Sequence, residues 1–229
     1  MLRSCKAVFF DAGGTLLHPY PSVGLIYQEV AARFGCKAEA AHLENLFRAA
    51  WLKRDGMTEL ASHSDEKKER EWWKSLVHEV FTSAGGVNNF DDFFHELYDV
   101  FARPQAWKLY EDVHHLLPQL KKQGKKLGII SNWDSRLFKL CEAFELNQYF
   151  DFVIASAVFG ASKPSPKIFQ EALRLANVKS EEAFHIGDSF EDDVLGAQRV
   201  GLGAVLIDRH PNPRPHQYNP TIRSFKELL

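Results

Sequence analysis

Asp11 ends a short apolar run, Ala7-Val8-Phe9-Phe10, and is followed at once by Ala12, Gly13, Gly14 and Thr15. A second run, Lys126 to Ile130, ends in Ser131-Asn132. Another, Ala183 to Ile186, ends in Gly187-Asp188, with Glu191, Asp192 and Asp193 just beyond. Lys163 stands between Ser162 and Pro164, after a further run at Phe152 to Ala155. Together these residues offer a carboxylate nucleophile, small donors for an anion, a cation and additional carboxylates. That is the inventory needed for phosphoryl transfer through a covalent aspartyl-phosphate.

The groups can meet only if the runs are strands of one sheet. Short apolar runs bounded by turn residues read as buried strands, and Ala204 to Ile207 adds a fifth. Helical patterns lie between them, at Val113 to Lys122 and Ile168 to Ala176. Strands alternating with helices from about Leu109 onward predict βαβ units and a parallel sheet. In such sheets ligands bind beyond the carboxyl ends of the strands, where Asp11, Ser131, Asn132 and Asp188 all stand. The expected fold is α/β, a Rossmann-like parallel sheet core.

From Tyr20 to about Pro104 the pattern changes. Ile26, Val30 and Phe34, then Leu43, Leu46, Phe47 and Ala50, keep helical spacing with no strand pattern between them. This predicts an inserted all-helical cap domain over residues 18–104, with residues 1–17 and 105–229 forming the core. The aromatic residues Trp51, Trp72, Trp73, Phe93 and Phe94 read as the core of that helical bundle. Asp65 to Glu71 reads as a solvated helix face and Pro211 to Pro220 as a loop. Ser224 with Glu227 reads as a capping box for a short terminal helix.

Composition sets the bounds. The chain has 229 residues, 45% of them hydrophobic and 25% charged, enough for one good core or a core with a smaller insert. A formal net charge of -2 supplies no general field for nucleic acid or an acidic membrane. The cysteines Cys5, Cys36 and Cys141 form no CxxC pair, so reduced thiols and a cytoplasmic protein are expected. No run approaches a signal-peptide core or a membrane span, and a monomer is the default.

Four segments, FFDAGGTLL, IISN, SKPSPKIF and HIGDSFEDDVLGA, resemble, in order, the four motifs of the haloacid dehalogenase-like (HAD) superfamily. The insert after the first motif is similar to the helical cap of subfamily I, and the resemblance covers essentially the whole chain. It implies Asp11 as nucleophile and Lys163 as the cation that neutralises it and the incoming phosphate. Ser131 and Asn132 would donate to the phosphoryl oxygens, and they could equally cap the following helix. Thr15 would bind phosphate or brace its loop. Trp133 would line the pocket or pack in the core.

Asp188 would bind a metal with support from Asp193, although Asp192 competes with Asp193 for that place. Several carboxylates facing Asp11 repel one another unless a divalent cation sits between them, and Mg2+ suits carboxylate, water and phosphate oxygens. The substrate implied is a small phosphorylated metabolite. His185 reads as a core residue.

One position departs from the family pattern. Phosphatases of the superfamily usually read DxD, the second Asp protonating the leaving group, and here that place is Gly13. The metal could still take the Gly13 carbonyl. A general acid contributes about 10²–10⁴-fold, so the favoured expectation is a phosphatase that is slow, or selective for acidic leaving groups. The alternatives are a weakly catalytic or non-catalytic binding protein on this fold, and a haloacid dehalogenase. Members of that last group work without metal and usually carry an aromatic residue at this place. A surrogate acid at His18 has only proximity behind it.

Overall fold

The computed structural model describes residues 2, 5–54, 64–209, 218 and 220–228. A six-stranded parallel sheet runs in the order β5-β4-β1-β6-β7-β8, with β1 (Ala7–Phe10), β4 (Lys126–Ser131), β5 (Phe152–Ala155), β6 (Ala183–Gly187), β7 (Gly203–Ile207) and β8 (Thr221–Ile222). The five apolar runs become five of its strands, as expected for strands covered on both faces. The two-residue edge strand β8 has no counterpart among them.

Register brings the strand ends together. Phe10 lies beside Ile129 of β4 and Ile186 of β6, so the chain passes into Asp11, Ser131 and Asp188 along one edge of the sheet. Alternate side chains of β1 divide between two cores. Val8 and Phe10 pack with Leu116 and Leu120 of α5 (Val113–Lys122) and Leu137 and Leu140 of α6 (Arg136–Ala143). Ala7 and Phe9 pack on the opposite face with Ile168, Phe169 and Ala172 of α8 (Pro166–Ala176). The core is therefore an α/β/α sandwich, a Rossmann-like arrangement.

Between β1 and the rest of the sheet lie four helices, α1 (Val23–Ala32), α2 (Ala40–Lys53), α3 (Glu66–Ser83) and α4 (Phe90–Val100). They enclose a separate apolar cluster that includes Tyr27, Leu43, Leu76, Phe81 and Phe93. Ser22 caps α1 by accepting from the Leu25 amide, and Asp65 caps α3 by accepting from Lys68. A two-stranded antiparallel ribbon, β2 (Leu17–Pro19) with β3 (Trp107–Leu109), joins the chain's departure to its return. Three-residue strands with a proline leave no alternation to read, and nothing in the sequence flags this ribbon. No described helix is long and apolar enough to cross a membrane.

Two local readings need correction. The stretch Asp65–Glu71 is not uniformly a solvated face, because Glu69 is fully buried. Ser64 and Ser156 both donate to its Oε1, and Oε2 has no hydrogen-bond partner among the described residues. At the terminus, Phe225–Leu228 forms a 3-10 turn in which Glu227 accepts from the Ser224 amide. The Ser224 hydroxyl bonds Lys226 N and Asp112 rather than closing the box. The proline-rich segment lies almost wholly outside the described residues.

Ser156, on the short helix α7 (Ser156–Phe159), also accepts from the Trp133 amide at 3.0 Å, so Glu69 ties the helical layer to the loop after β4. Burial pushes the Glu69 carboxyl up to about 7 from its usual 4.5, against the two serine hydrogen bonds. Below about pH 4.5 folded and unfolded chains both hold the proton, whereas between 4.5 and 7 only the folded chain does. Stability therefore falls as pH rises through that window. Glu69→Gln should melt above the wild type at pH 8, by roughly 3 kcal/mol of stability, with the gap closing at pH 4. Equal melting temperatures at pH 8 would show that Glu69 carries no such cost.

Candidate functional site

Asp11 leaves β1 into a tight turn in which Leu16 N and Leu17 N both donate to Ala12 O, at 2.8 and 3.0 Å. Gly14 takes a positive φ of 78°, and a Cβ there would collide with the Asp188 carboxylate. The turn therefore needs glycine for its backbone and for the space it leaves. Gly13 borders Trp133 instead, since a Cβ on it would sit 3.4 Å from the indole Cζ3.

Two donors converge on one oxygen of the expected nucleophile. Lys163 Nζ lies 2.6 Å from Asp11 Oδ1, and Ser131 Oγ donates to the same atom at 3.0 Å. Lys163 also reaches Asp193 Oδ1 at 2.5 Å. Asp193 is held further by His185 Nε2 at 2.8 Å on the same oxygen and by the Ser189 amide at 3.0 Å on the other. Asp11, Asp188 and Asp193 each bring an oxygen within 4.8 Å of the others, Asp11 and Asp193 buried and Asp188 open to the cleft. Asp192 is absent from this cluster and accepts instead, at 3.5 Å, from Asn132. Of the three acids in the first turn of Phe190–Leu195, Glu191, Asp192 and Asp193, Asp193 is the one in the cluster with Asp11.

The electrostatics follow from crowding. Burial raises the Asp11 carboxyl above the usual range, opposed by Lys163 and reinforced by Asp193. Asp188 opens to the cleft, yet desolvation by the protein packed around it, then the charges of Asp11 and Asp193, push its carboxyl well above that range. Burial would raise Asp193 as well, but Lys163 and His185 outweigh it and hold that group low. Burial alone would lower Lys163, and its two carboxylate partners reverse the sign, so it stays protonated. Burial keeps His185 neutral despite Asp193. One lysine facing three carboxylates leaves the cluster short of positive charge, a donor set suited to a hard divalent cation.

Asn132 and Thr15 both make bracing contacts beside Asp11. The Asn132 side chain donates to Lys163 O at 3.0 Å and accepts from Lys163 N at 2.7 Å, which commits its amide to holding the lysine loop. Thr15 is buried, its hydroxyl 3.5 Å from Asp188 and its carbonyl bonded by the Arg209 guanidinium at 2.8 and 3.0 Å. Arg209 is itself clamped by Asp112 and stacks on Tyr110 and Phe225. Neither Arg209 nor the His185–Asp193 bond is evident in the sequence. A signal for His185 exists in strand alternation, which puts it on the same face of β6 as Gly187, over which Asp193 folds.

A cavity of about 600 Å³ opens from Asp11 toward the helical layer and is lined by residues of both. The aromatic residues read from sequence as bundle core divide here. Trp72 and Phe93 are buried in the bundle, whereas Trp51 and Trp73 are half-buried and face the cavity, as does Trp133. Trp133 is thus both packed and pocket-lining.

A profile of the haloacid dehalogenase-like hydrolases matches residues 5–201. The chain is 34% identical over 204 residues to the haloacid dehalogenase-like hydrolase domain-containing protein 3 of Bos taurus, covering 88% of this chain and 81% of that one. Among solved structures it is similar to a HAD phosphatase from Thermococcus onnurineus, with 27% identity, a TM-score of 0.65, and 97% and 95% of the two chains covered. A dehalogenase superposes with a TM-score of 0.75 at 23% identity over 98% of this chain and 96% of that one, a likeness of fold alone.

Proposed function

The chain belongs to the haloacid dehalogenase-like hydrolases, and from that premise we propose that it is a Mg2+-dependent phosphatase of small phosphate monoesters with Asp11 as nucleophile. The observation that carries the reading is the pairing of Lys163 and Ser131 on Asp11 Oδ1, which leaves Oδ2 to attack. Oδ2 forms the new bond to phosphorus while the bond to the leaving oxygen breaks, that oxygen departing with the electron pair. Water then attacks the phosphorus of the aspartyl-phosphate, releasing phosphate and restoring Asp11. Lys163 and Ser131 offset the charge gathering on the phosphoryl oxygens, and Asn132 and Thr15 hold the loops that present them.

Asp11, Asp188 and the Gly13 carbonyl would hold the Mg2+, with Asp193 orienting the group through its bonds to Lys163 and His185. When bound, the ion supplies positive charge to the phosphoryl group. The four helices α1–α4, within residues 18–104, act as a cap over residues 1–17 and 105–229. The three acidic side chains of the Asp11 cluster favour this reading over dehalogenation, because without a divalent cation a carboxylate substrate would meet them with only Lys163 to offset the repulsion.

With Gly13 in place of an acid, the departing oxygen must leave unprotonated, so turnover should climb steeply with leaving-group acidity. Phosphate release from p-nitrophenyl phosphate should need Mg2+, stop with EDTA, and exceed that from a simple alkyl phosphate by about 10²–10⁴-fold. Gly13→Asp should raise the alkyl rate at least tenfold (about the lower range of an added general acid) without raising the nitrophenyl rate. EDTA-insensitive release would overturn the metal requirement, and chloride release from 2-chloropropionate would favour a dehalogenase.

A further inference from the structure

We infer that the chamber above Asp11 is shaped for an aromatic leaving group, making the substrate class the phosphate monoesters of phenols and fused-ring aryl alcohols; this rests on the phosphatase reading above. Three observations carry it. Among the residues lining the cavity an aromatic series runs from Trp133 and Trp107 through Phe101 and Tyr27 to Phe47, neighbouring ring centroids lying no more than 6.2 Å apart. Trp133 lies against Gly13 and Trp107 lies 4.8 Å from Trp133, centroid to centroid. At the distal end Phe47 stands 6.2 Å from Trp51, which stacks on Trp73 at 5.7 Å with ring planes 23° apart. Such faces and edges favour a planar π-system over a polyhydroxylated one.

Charge on the upper walls is already matched. Arg136 is pinned by Asp134 at 2.7 Å and lies 3.5 Å over the Tyr98 ring, and Arg48 pairs with Glu44 at 3.3 Å. Among the described residues lining the upper chamber, these two arginines therefore add no unmatched positive charge for a second phosphate or a carboxylate on the leaving group. A cavity of about 600 Å³ is also larger than a short alkyl alcohol would fill.

Third, the chemistry of the site suits the same ligand. With Gly13 where an acid would stand, the leaving oxygen must be stable as an anion, and a phenoxide is, phenolic pKa being about 10. The ring wall and the glycine bear on different properties of the leaving group, its shape and its basicity, although Trp133 and Gly13 are in contact. Both are met by an aryl oxide.

Acidity and aromaticity are separable by substrate choice. Hexafluoroisopropyl phosphate has a leaving alcohol about as acidic as a phenol (pKa about 10) but carries no ring. We expect kcat/KM for 2-naphthyl phosphate to exceed it at least tenfold, the scale of burying one aromatic group. Trp73→Leu and Trp51→Leu, each checked for folding by circular dichroism, should cut that ratio about tenfold, mainly through KM. A wild-type ratio near one, or a ratio unmoved in both folded variants, overturns the proposal.

If neither ester releases phosphate, the phosphatase reading falls, and binding decides the chamber. Calorimetric titration of Asp11→Asn protein should then show 2-naphthyl phosphate binding at least tenfold tighter than glycerol 3-phosphate (about one aromatic burial). Equal affinities would overturn the aromatic assignment as well.

Discussion

Asp11→Asn should lower phosphate release by at least about 10⁴-fold, the order lost when a covalent nucleophile is removed, while the protein melts no lower than the wild type. The substitution keeps the size of the side chain and an oxygen that accepts from Ser131 and Lys163, whose distances to Oδ1 are 3.0 and 2.6 Å. What it removes is a buried negative charge within 4.8 Å of Asp188 and Asp193. In the absence of a divalent cation, those three carboxylates, with only Lys163 between them, repel through a poorly screened interior. Deleting one charge relieves that repulsion, and Lys163 retains Asp193 as its ion-pair partner at 2.5 Å. An active site that stores unfavourable charge is expected to gain stability as it loses function. Steady-state phosphate release and a thermal melt in EDTA test both halves. More than about one percent of activity in a folded variant, against a loss of order 10⁴ or more, would place the nucleophile elsewhere. A melting temperature several degrees lower would mean that Asp11 serves chiefly to neutralise Lys163.

Much of this arrangement is legible in the sequence because parallel strands covered on both faces must be apolar at every position. The runs Ala7–Phe10 and Ala183–Ile186 announce themselves that way, and the polar residues that end them, Asp11 and Asp188, meet in the acidic cluster. The helices of residues 18–104 are equally legible, since apolar residues three and four apart line one face of a helix but would scatter over both faces of a strand. The losses have particular causes. Glu69 is hidden by the charges along Asp65–Glu71; its spacing with Trp72, Leu76 and Val80 places it on the buried stripe of α3, and all four are buried. Asn132 lies in a motif implying phosphate donation, and its added bond to the Lys163 amide depends on a loop that arrives from 31 residues away. Arg209 reaches Thr15 across 194 residues, and no local pattern encodes such a contact.

Gly13 shows both kinds of information in one residue. From the sequence alone it is a missing acid. In the fold it is also the floor beneath Trp133, whose ring lies 3.4 Å from where its Cβ would be. A carboxylate placed there by Gly13→Asp must therefore share space with an indole that is 9% exposed and tied at its backbone to Ser156. That shared space couples the identity of residue 13 to the wall of the leaving-group chamber, so acid chemistry and aromatic recognition compete for the same few ångströms.

Lys163→Met should both inactivate and destabilise the protein, in contrast to Asp11→Asn. Methionine approximates the length of the lysine stem but donates no hydrogen bond. The lysine side chain is 3% exposed, and its carboxylate partners Asp11 and Asp193 are 9% and 2% exposed. Breaking a buried pair by removing one partner typically costs about 3–5 kcal/mol, because the other charge is left without compensation. Here two carboxylates lose their cation at once, with Asp188 close by. At roughly 2–4 °C per kcal/mol for a chain of this size, the melting temperature should drop on the order of 10 °C. Phosphate release should fall by about 10²–10³-fold or more, as when one donor is taken from a developing oxyanion. Lys163→Arg would not restore it, since a planar guanidinium cannot fit a slot built for one compact ammonium at 2.6 and 2.5 Å from its partners. A Met variant melting within about 2 °C of the wild type, against the roughly 10 °C expected, would mean that water or protonated carboxyls already carry the load assigned here to the lysine.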